Sequence, residues 1–292
     1  MTNAETAVPA PCSATFVLRD YDLAATLGCG QAFRWRPAGA AWEGVISGRW
    51  VRLRAEGGKL QAETAAPTAE WTWLTDHLRL DEDLGAILAS FPDDPPLRAA
   101  VQACRGLRLL RQEPWECLAS FILSSTKQIV QIQECVRLLC ARFGEPIPAA
   151  ATDTAYSFPT AERLAAASEA ELRACKLGFR AKYLRGTAQR IAGGQLDLTA
   201  VATQPTAEAR EALMECPGVG RKIADCALLF GWGRQDAFPV DVWVLRALRE
   251  LYFPRRRPKP ARLLKFTETY FGPNAGYAQQ YLFHYMRTRD GA

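Results

Sequence analysis

The sequence predicts an α+β protein in which an antiparallel sheet near the N-terminus precedes a mostly helical region. Apolar and polar residues alternate with period two in the first hundred residues, and from about Asp83 onward apolar residues recur with the 3.6-residue period of a helix. A chain of 292 residues, 49% of them hydrophobic, can bury a large core. Its length suggests two domains.

The strand pattern belongs to the first domain, which we place at residues 12–112. Its segments are separated by glycine and proline, which is typical of an antiparallel sheet with one solvent-exposed face. The predicted strands are Thr15–Arg19, Phe33–Arg36, Trp42–Ile46 and Trp50–Arg54.

The helical pattern fills the second domain, residues 113–290. Its apolar segments are amphipathic or wholly apolar, and glycine or proline separates them. The predicted helices are Trp115–Phe143, Ala161–Cys175, Lys182–Ala192, Ala207–Glu215, Lys222–Phe230, Val242–Tyr252 and Ala275–Arg287.

The composition limits the classes of partner and site that the protein can have. Lys and Arg total 36 against 31 acidic residues, and the resulting net charge of +5 permits a polyanionic partner without requiring one. We expect no membrane span, because no apolar run reaches ~18 residues, and no secretory signal, because residues 1–14 contain no Lys or Arg. Nine cysteines without a Cys-x-x-Cys pair predict reduced, mostly buried thiols, and with His77 and His284 as the only histidines we expect no metal site.

A short glycine-rich turn between two apolar helices is the most informative stretch. The hairpin spans residues 207–231, and its turn contains Pro217-Gly-Val-Gly220. Glycines in so tight a link let a large partner approach the main chain, and the N-terminus of the second helix offers unpaired amides and a positive dipole end that suit a phosphate. An ordinary helix–helix connection would use the same residues.

Two charged residues near this turn have the chemistry of a catalytic pair. Lys222 lies in the first turn of the second helix, where the helix dipole disfavours a cation, and partial desolvation would favour the neutral, nucleophilic amine. A contact to phosphate is the alternative and needs the charge kept. Asp241 precedes another apolar helix, where it can act as N-cap and can also stabilise positive charge on a sugar or orient a nucleophile.

The turn, Lys222 and Asp241 together resemble the helix-hairpin-helix-GPD signature of base-excision DNA glycosylases. Five further segments, in the same order, are similar to the 8-oxoguanine DNA glycosylase branch: Gly30–Trp35, Gly106–Pro114, Phe121–Ser125, Lys176–Tyr183 and Gly276–Phe283. The resemblance runs from about residue 15 to residue 289. It implies an N-terminal β domain packed on a helical domain, with the active site in the cleft.

The resemblance also implies a bifunctional glycosylase and apurinic-site lyase, with duplex DNA containing oxidised guanine as its partner. Lys222 would attack C1′ and form a Schiff base, and Asp241 would assist departure of the base. The extruded base would lie against Gln279, Phe283 and Cys226. Taken alone, Phe283 would be a core aromatic residue and Cys226 a small buried hydrophobe.

Further implied roles concern discrimination and the grip on DNA. The carbonyl of Gly30 would accept the N7 hydrogen that oxidised guanine has and guanine lacks. Phe179 and Arg180 would wedge into the duplex and contact the estranged base. Backbone contacts would come from Lys127, Gly218, Gly220 and Arg221.

Several positions depart from the branch, among them Thr126-Lys127-Gln128, where many members carry asparagines. Gln131 stands where an arginine is frequent, which weakens the case for strict preference for cytosine opposite the lesion. Trp243 stands where a phosphate-contacting histidine is common, which puts one backbone contact in doubt. Since no cysteine follows Cys226, we expect no iron–sulfur cluster and no other cofactor.

Two alternatives stay open. A glycosylase of the same superfamily for alkylated purines would share Asp241 but usually lacks the lysine, and a non-catalytic helix-hairpin-helix protein would only bind duplex DNA. An unrelated helical protein would not account for the ordered segments. We expect a monomer, located in the cytoplasm with the nucleoid if bacterial or in the nucleus if eukaryotic.

Overall fold

The computed structural model, which describes residues 12–149, 154–256 and 258–289, begins with a five-stranded antiparallel sheet in the order β1-β5-β4-β3-β2. Two of its hairpins close with two-residue turns, Ser47-Gly48 and Gly57-Gly58, in which both residues have positive φ. Such turns match the natural twist of paired strands. The strands are β1 Cys12–Val17, β2 Arg36–Ala38, β3 Ala41–Ile46, β4 Arg49–Glu56 and β5 Lys59–Thr64.

One face of the sheet packs against two short helices, α1 (Leu23–Gly28) and α2 (Thr72–Leu78). Leu53 and Leu60 from the sheet and Leu74 from α2 form the centre of this core. The antiparallel sheet confirms the predicted fold class. The sequence analysis missed β5 and both helices, and it was wrong about Phe33–Arg36, of which only Arg36 belongs to a strand.

The remainder is helical apart from one small ribbon, and the aliphatic and aromatic side chains of its helices form a second core. The elements are α3 Leu84–Ala89, α4 Pro95–Ala103, α5 Pro114–Leu123, α6 Ile129–Phe143, β6 Pro146–Ile147, β7 Ala155–Tyr156, α7 Ala161–Ala166, α8 Glu169–Ala174, α9 Arg180–Ala192, α10 Leu198–Thr203, α11 Thr206–Met214, α12 Arg221–Phe230, α13 Val242–Ala247, a π-helix Leu248–Tyr252, α14 Pro260–Tyr270 and α15 Ala275–Arg289.

Two helices predicted as continuous are divided. The segment 115–143 breaks between α5 and α6, where Thr126 has a φ of +56° and cannot continue a right-handed helix. The segment 161–175 breaks at Ser168, whose hydroxyl accepts from the Glu171 amide while the Glu171 carboxylate accepts from the Ser168 amide. This capping box starts a new helix.

The last helix, α15, joins the two halves of the molecule. Tyr281 is fully buried and donates from its hydroxyl to the Leu107 carbonyl at 3.0 Å. Tyr277, also fully buried, donates to Glu82 at 2.8 Å and accepts from the Leu109 amide. These bonds fix α15 against the segment that leaves the β region.

Three further expectations concern the secretory signal, membrane spans and the cysteines. The residues used to assess a secretory signal lie mostly outside the described part of the chain. Within the described part, no helix combines the length and apolar character needed to cross a bilayer. All cysteines except Cys12 are buried, as predicted.

Candidate active site

The hairpin turn is shaped by one glycine and left open at another. Gly218 has a φ of +75°, and a Cβ there would lie 2.5 Å from the Tyr183 ring. Gly220 is the N-cap of α12, and a Cβ there would meet nothing within 4 Å. Gly218 is therefore required by backbone geometry and packing, whereas Gly220 leaves the outer surface of the turn accessible to a partner's backbone.

Lys222 is half-buried in the first turn of α12, and its ammonium faces a specific acceptor. Its Nζ donates to Ser124 Oγ at 3.2 Å and lies 5.3 Å from the centroid of the Phe121 ring. Ser124 donates its own hydroxyl proton to the Phe121 carbonyl at 2.7 Å. That bond leaves a lone pair of Ser124 Oγ directed to the lysine, which fixes the position of the amine.

Asp241 is the N-cap of α13 and lies within electrostatic range of Lys222. Its Oδ1 accepts from the Val244 amide at 2.8 Å. Burial raises the pKa of the Asp241 carboxyl, while the Val244 amide and the Lys222 ammonium act in the opposite direction. The carboxylate is thus held in one direction by the helix it caps.

Cys226, one turn after Lys222 on α12, lines the same region. Burial raises the pKa of its thiol to about 12, although the nearby Lys222 ammonium lowers it. A thiol with that pKa is protonated at neutral pH, so Cys226 contributes packing surface and not a nucleophile.

The two residues predicted to contact an extruded base both lie on α15. Gln279 is 4% exposed, and its Oε1 has no hydrogen-bond partner among the described residues. Phe283 lies one turn later and is half-buried, with the Arg287 guanidinium 5.4 Å from its ring centroid. A buried acceptor without a partner is costly, and the contact of this amide with a base stays a prediction.

Gly30 lies in a loop that the β region holds tightly. It has a φ of +88°, and a Cβ there would lie 2.3 Å from the Ile129 side chain. The neighbouring Gln31 is buried and bonds to the carbonyls of Thr26 and Arg108 at 2.9 and 2.8 Å. Any larger residue at position 30 would clash, so the backbone here stays close to α6.

The predicted wedge residues lie beside the break between α5 and α6. Phe179 is 47% exposed, with the Arg180 guanidinium 4.3 Å from its ring. Arg180 is 5% exposed and donates to the Ser125 carbonyl at 2.9 Å and to Thr126 Oγ1 at 2.6 Å. The structure therefore uses Arg180 to hold this loop, and its contact with an estranged base stays a prediction.

The two cations predicted to contact the DNA backbone already lie near other protein side chains. Arg221 donates to Glu268 at 2.6 Å and lies 3.6 Å from the Asp225 carboxylate. Lys127 is half-buried, and its charge opposes the burial that raises the pKa of the Cys135 thiol. Their roles at DNA also stay predictions.

The structure adds features that the sequence analysis did not assign. Ser124 lay within a matched segment, but its bond to Lys222 was not foreseen. A groove of about 750 Å³ begins at Val242, directly after Asp241, and contains the side chains of Arg246, Arg249 and Arg256. The spacing of two arginines by one helical turn was the signal available in the sequence. Within the described ranges, no group of three His, Cys, Asp or Glu side chains is placed to hold a metal ion.

Comparison with known proteins agrees with this geometry. Residues 15–118 match the model of the 8-oxoguanine DNA glycosylase N-terminal domain, and residues 119–273 match that of the HhH-GPD superfamily of base excision DNA repair proteins. The chain belongs to the 8-oxoguanine DNA glycosylases of the HhH-GPD superfamily. The first match covers the sheet and the Gly30 loop, and the second covers the hairpin, Lys222 and Asp241.

Individual relatives extend along nearly the whole chain. A probable N-glycosylase/DNA lyase of Methanothermobacter thermautotrophicus is 30% identical, over 92% of this chain and 94% of its own. The N-glycosylase/DNA lyase OGG1 of Arabidopsis thaliana is 33% identical, over 88% and 75%. The solved 8-oxoguanine glycosylase/lyase of Clostridium acetobutylicum, in complex with duplex DNA that has cytosine opposite 8-oxoguanine, is 31% identical, covers 95% and 98%, and superimposes with a TM-score of 0.88.

Proposed function

We propose that this protein is a bifunctional DNA glycosylase and apurinic-site lyase that excises 8-oxoguanine from duplex DNA in base excision repair. The observation that carries the proposal is the half-buried Lys222 amine, held by Ser124 Oγ within electrostatic range of the Asp241 carboxyl. A nucleophile and a carboxylate fixed on the N-termini of two helices suit attack at a sugar carbon that gains positive charge. The names of the relatives, N-glycosylase/DNA lyase, agree with this assignment.

The proposed reaction begins with extrusion of the damaged nucleotide from the stack. The neutral Lys222 amine forms a bond from Nζ to C1′ as the C1′–N9 bond breaks, and the base leaves with that electron pair and gains a proton as the amine loses one. Opening of the sugar ring then gives a Schiff base between Nζ and C1′. Loss of a C2′ proton expels the 3′-phosphate and nicks the strand, and hydrolysis of the imine frees the enzyme.

Asp241 acts by charge and position. In the proposed reaction its carboxylate, which accepts from the Val244 amide, stabilises the positive charge that develops at C1′ as the base departs. The low-dielectric surroundings that raise the pKa of Asp241 also strengthen its attraction to that charge.

The same site supplies contacts for an oxidised purine. The free Oε1 of Gln279 can accept from the Watson–Crick edge, and the Phe283 ring can stack on the face of the base. The Gly30 carbonyl would accept from N7–H, which guanine lacks. Undamaged guanine presents an acceptor there, so the two acceptors would repel.

Borohydride trapping tests the proposal. Incubation with sodium borohydride and a duplex containing 8-oxoguanine should give a covalent protein–DNA adduct, because reduction fixes the Schiff base. Lys222→Gln should abolish the adduct while still binding the duplex, and an undamaged duplex should give none. Base release without any adduct would indicate the monofunctional alternative, and binding without base release would indicate a non-catalytic DNA-binding protein.

A further inference from the structure

One guanidinium connects the two walls of the site. Arg287 lies on α15, one turn after Phe283 and two turns after Gln279, and its Nη1 donates to the Cys29 carbonyl at 3.2 Å. The same guanidinium is 5.4 Å from the Phe283 ring centroid. We propose that Arg287 is a positioning residue for lesion selectivity, which holds the Gly30 loop at a fixed distance from the Phe283 surface. The inference rests on the proposed function.

The hydrogen bonds on either side of Gly30 explain how a contact to Cys29 can act on it. The Cys29 carbonyl, in the peptide unit before Gly30, accepts from Arg287, and the Gln31 carbonyl, one unit after the Gly30 carbonyl, accepts from Gln112 at 2.7 Å. The peptide unit that carries the Gly30 carbonyl is therefore held at both ends. Neither bond uses the Gly30 oxygen itself.

Packing at Gly30 makes this position sensitive to small movements. The Cβ position of Gly30 lies 2.3 Å from Ile129 Cδ1 and 3.6 Å from Arg287 Nη1, so α6 closes one side of the loop and Arg287 another. Loss of the guanidinium would open the second side and let the loop move away from α15. The acceptor would then lie too far from a stacked base to distinguish N7–H from a bare N7.

Arg287 is not the sole contact that holds the Gly30 loop and its surroundings against α15 in the described part of the chain. Gln280, on the same helix, donates to Cys29 Sγ at 3.2 Å, and Tyr281 anchors α15 to the Leu107 carbonyl. A variant without the guanidinium should therefore keep its tertiary structure. The Arg287 charge also lowers the pKa of Asp241, so a test must separate positioning of the loop from the chemistry at the sugar.

The test compares binding selectivity with cleavage at a site that has no base. Selectivity is the ratio of Kd for an undamaged guanine–cytosine duplex to Kd for the matching 8-oxoguanine duplex, measured with Lys222→Gln present to prevent turnover. Arg287→Met should lower this ratio about tenfold, the effect of one charged hydrogen bond. Arg287→Lys should restore part of it. The matched control is Arg289→Met, on the same helix, whose guanidinium forms an ion pair with Glu250. This variant should leave the selectivity ratio unchanged.

Cleavage of an abasic duplex by the protein with Lys222 intact supplies the second measurement. Because that substrate has no base to select, any loss of cleavage by Arg287→Met measures the effect of the missing charge near Asp241, and it should be smaller than the loss of selectivity. An unchanged selectivity ratio, or a loss of abasic-site cleavage as large as the loss of selectivity, would overturn the positioning role. Absence of any 8-oxoguanine preference with Arg287 intact would instead overturn the proposed function, and the inference with it.

Discussion

The N-cap role of Asp241 and its proposed catalytic role place opposite demands on one side chain. As an N-cap, the carboxyl accepts from the Val244 amide and stabilises α13. As a charge beside Lys222, it must remain ionised in a partly buried place, and burial raises its pKa from the ordinary value of 3.8. The proposed catalysis therefore uses a group whose charged form is costly to the fold.

Asp241→Asn should make the folded protein more stable at neutral pH. The native state binds the carboxyl proton more tightly than the unfolded chain, so the ionised group destabilises the fold above its raised pKa. Asparagine keeps the cap without the charge. Urea unfolding gives the free energy of unfolding of both proteins. The variant's advantage in this free energy should be largest near pH 7 and should shrink as the pH falls toward 3.8. A less stable Asn variant at pH 7 would contradict this account.

Gln279→Ala should weaken binding to an 8-oxoguanine duplex about tenfold and leave binding to an undamaged duplex nearly unchanged. The unpartnered Oε1 gains a hydrogen bond only when an extruded base is present, and one such bond contributes about 1–1.5 kcal/mol. Fluorescence anisotropy with the two duplexes measures both constants. Thr288→Ala, exposed on the same helix, is the control, and equal losses for both duplexes would show that Gln279 does not contact the base.

At the scale of elements, the hairpin is held together by an ion pair that the two helices share. Asp225 on α12 is 2% exposed and bonds to Arg210 on α11 at 2.5 Å, with Arg221 at 3.6 Å. Burial raises the pKa of Asp225, while Arg210 opposes the shift. This pair joins α11 to α12, the helix that carries Lys222.

Asp225→Ala should lower the free energy of unfolding by about 3–5 kcal/mol, because it leaves Arg210 largely buried without its counter-charge. Glu268→Ala removes the exposed partner of Arg221 and should cost less than about 1 kcal/mol. Urea denaturation curves give both values. Equal effects would mean that the buried pair does not stabilise the hairpin.

Local patterns predicted most elements, and long-range contacts account for the rest. The hairpin was predictable because its signal lies within 25 residues, 207–231. The break between α5 and α6 was not, because the positive φ of Thr126 is supported by Arg180, 54 residues away. Strand β5 was missed as a short, charge-rich segment, yet β1 and β4 pair with it on both sides. Arg287 could not be assigned, since its partner Cys29 is 258 residues distant.

In the whole molecule, a series of contacts between distant segments connects the residues of the site. Lys222 reaches Ser124 at the end of α5, the loop that follows is held by Arg180, and Ile129 after it packs on Gly30. Arg287 then connects the Gly30 loop to α15. The groove that starts at Val242 is lined by three arginines and by Glu250, and we predict that it binds phosphates that flank the lesion.

Arg249→Ala should weaken DNA binding and reduce its dependence on salt. Each phosphate contact adds about 0.9 to the slope of log K against log salt concentration, so loss of one contact should flatten the slope by about that amount. Arg54→Ala, on β4 and paired with Glu56, is the control and should leave the slope unchanged. Identical slopes for Arg249→Ala and the unsubstituted protein would place the DNA elsewhere than in this groove.

In the proposed reaction one particular amine bonds to the sugar of the damaged nucleotide. Proteolysis of the borohydride-reduced adduct, followed by mass spectrometry of the DNA-linked peptide, locates that bond directly. We predict a single modified residue, Lys222, in a peptide from the start of α12. A linkage at any other lysine, or at the N-terminal amine, would contradict the account.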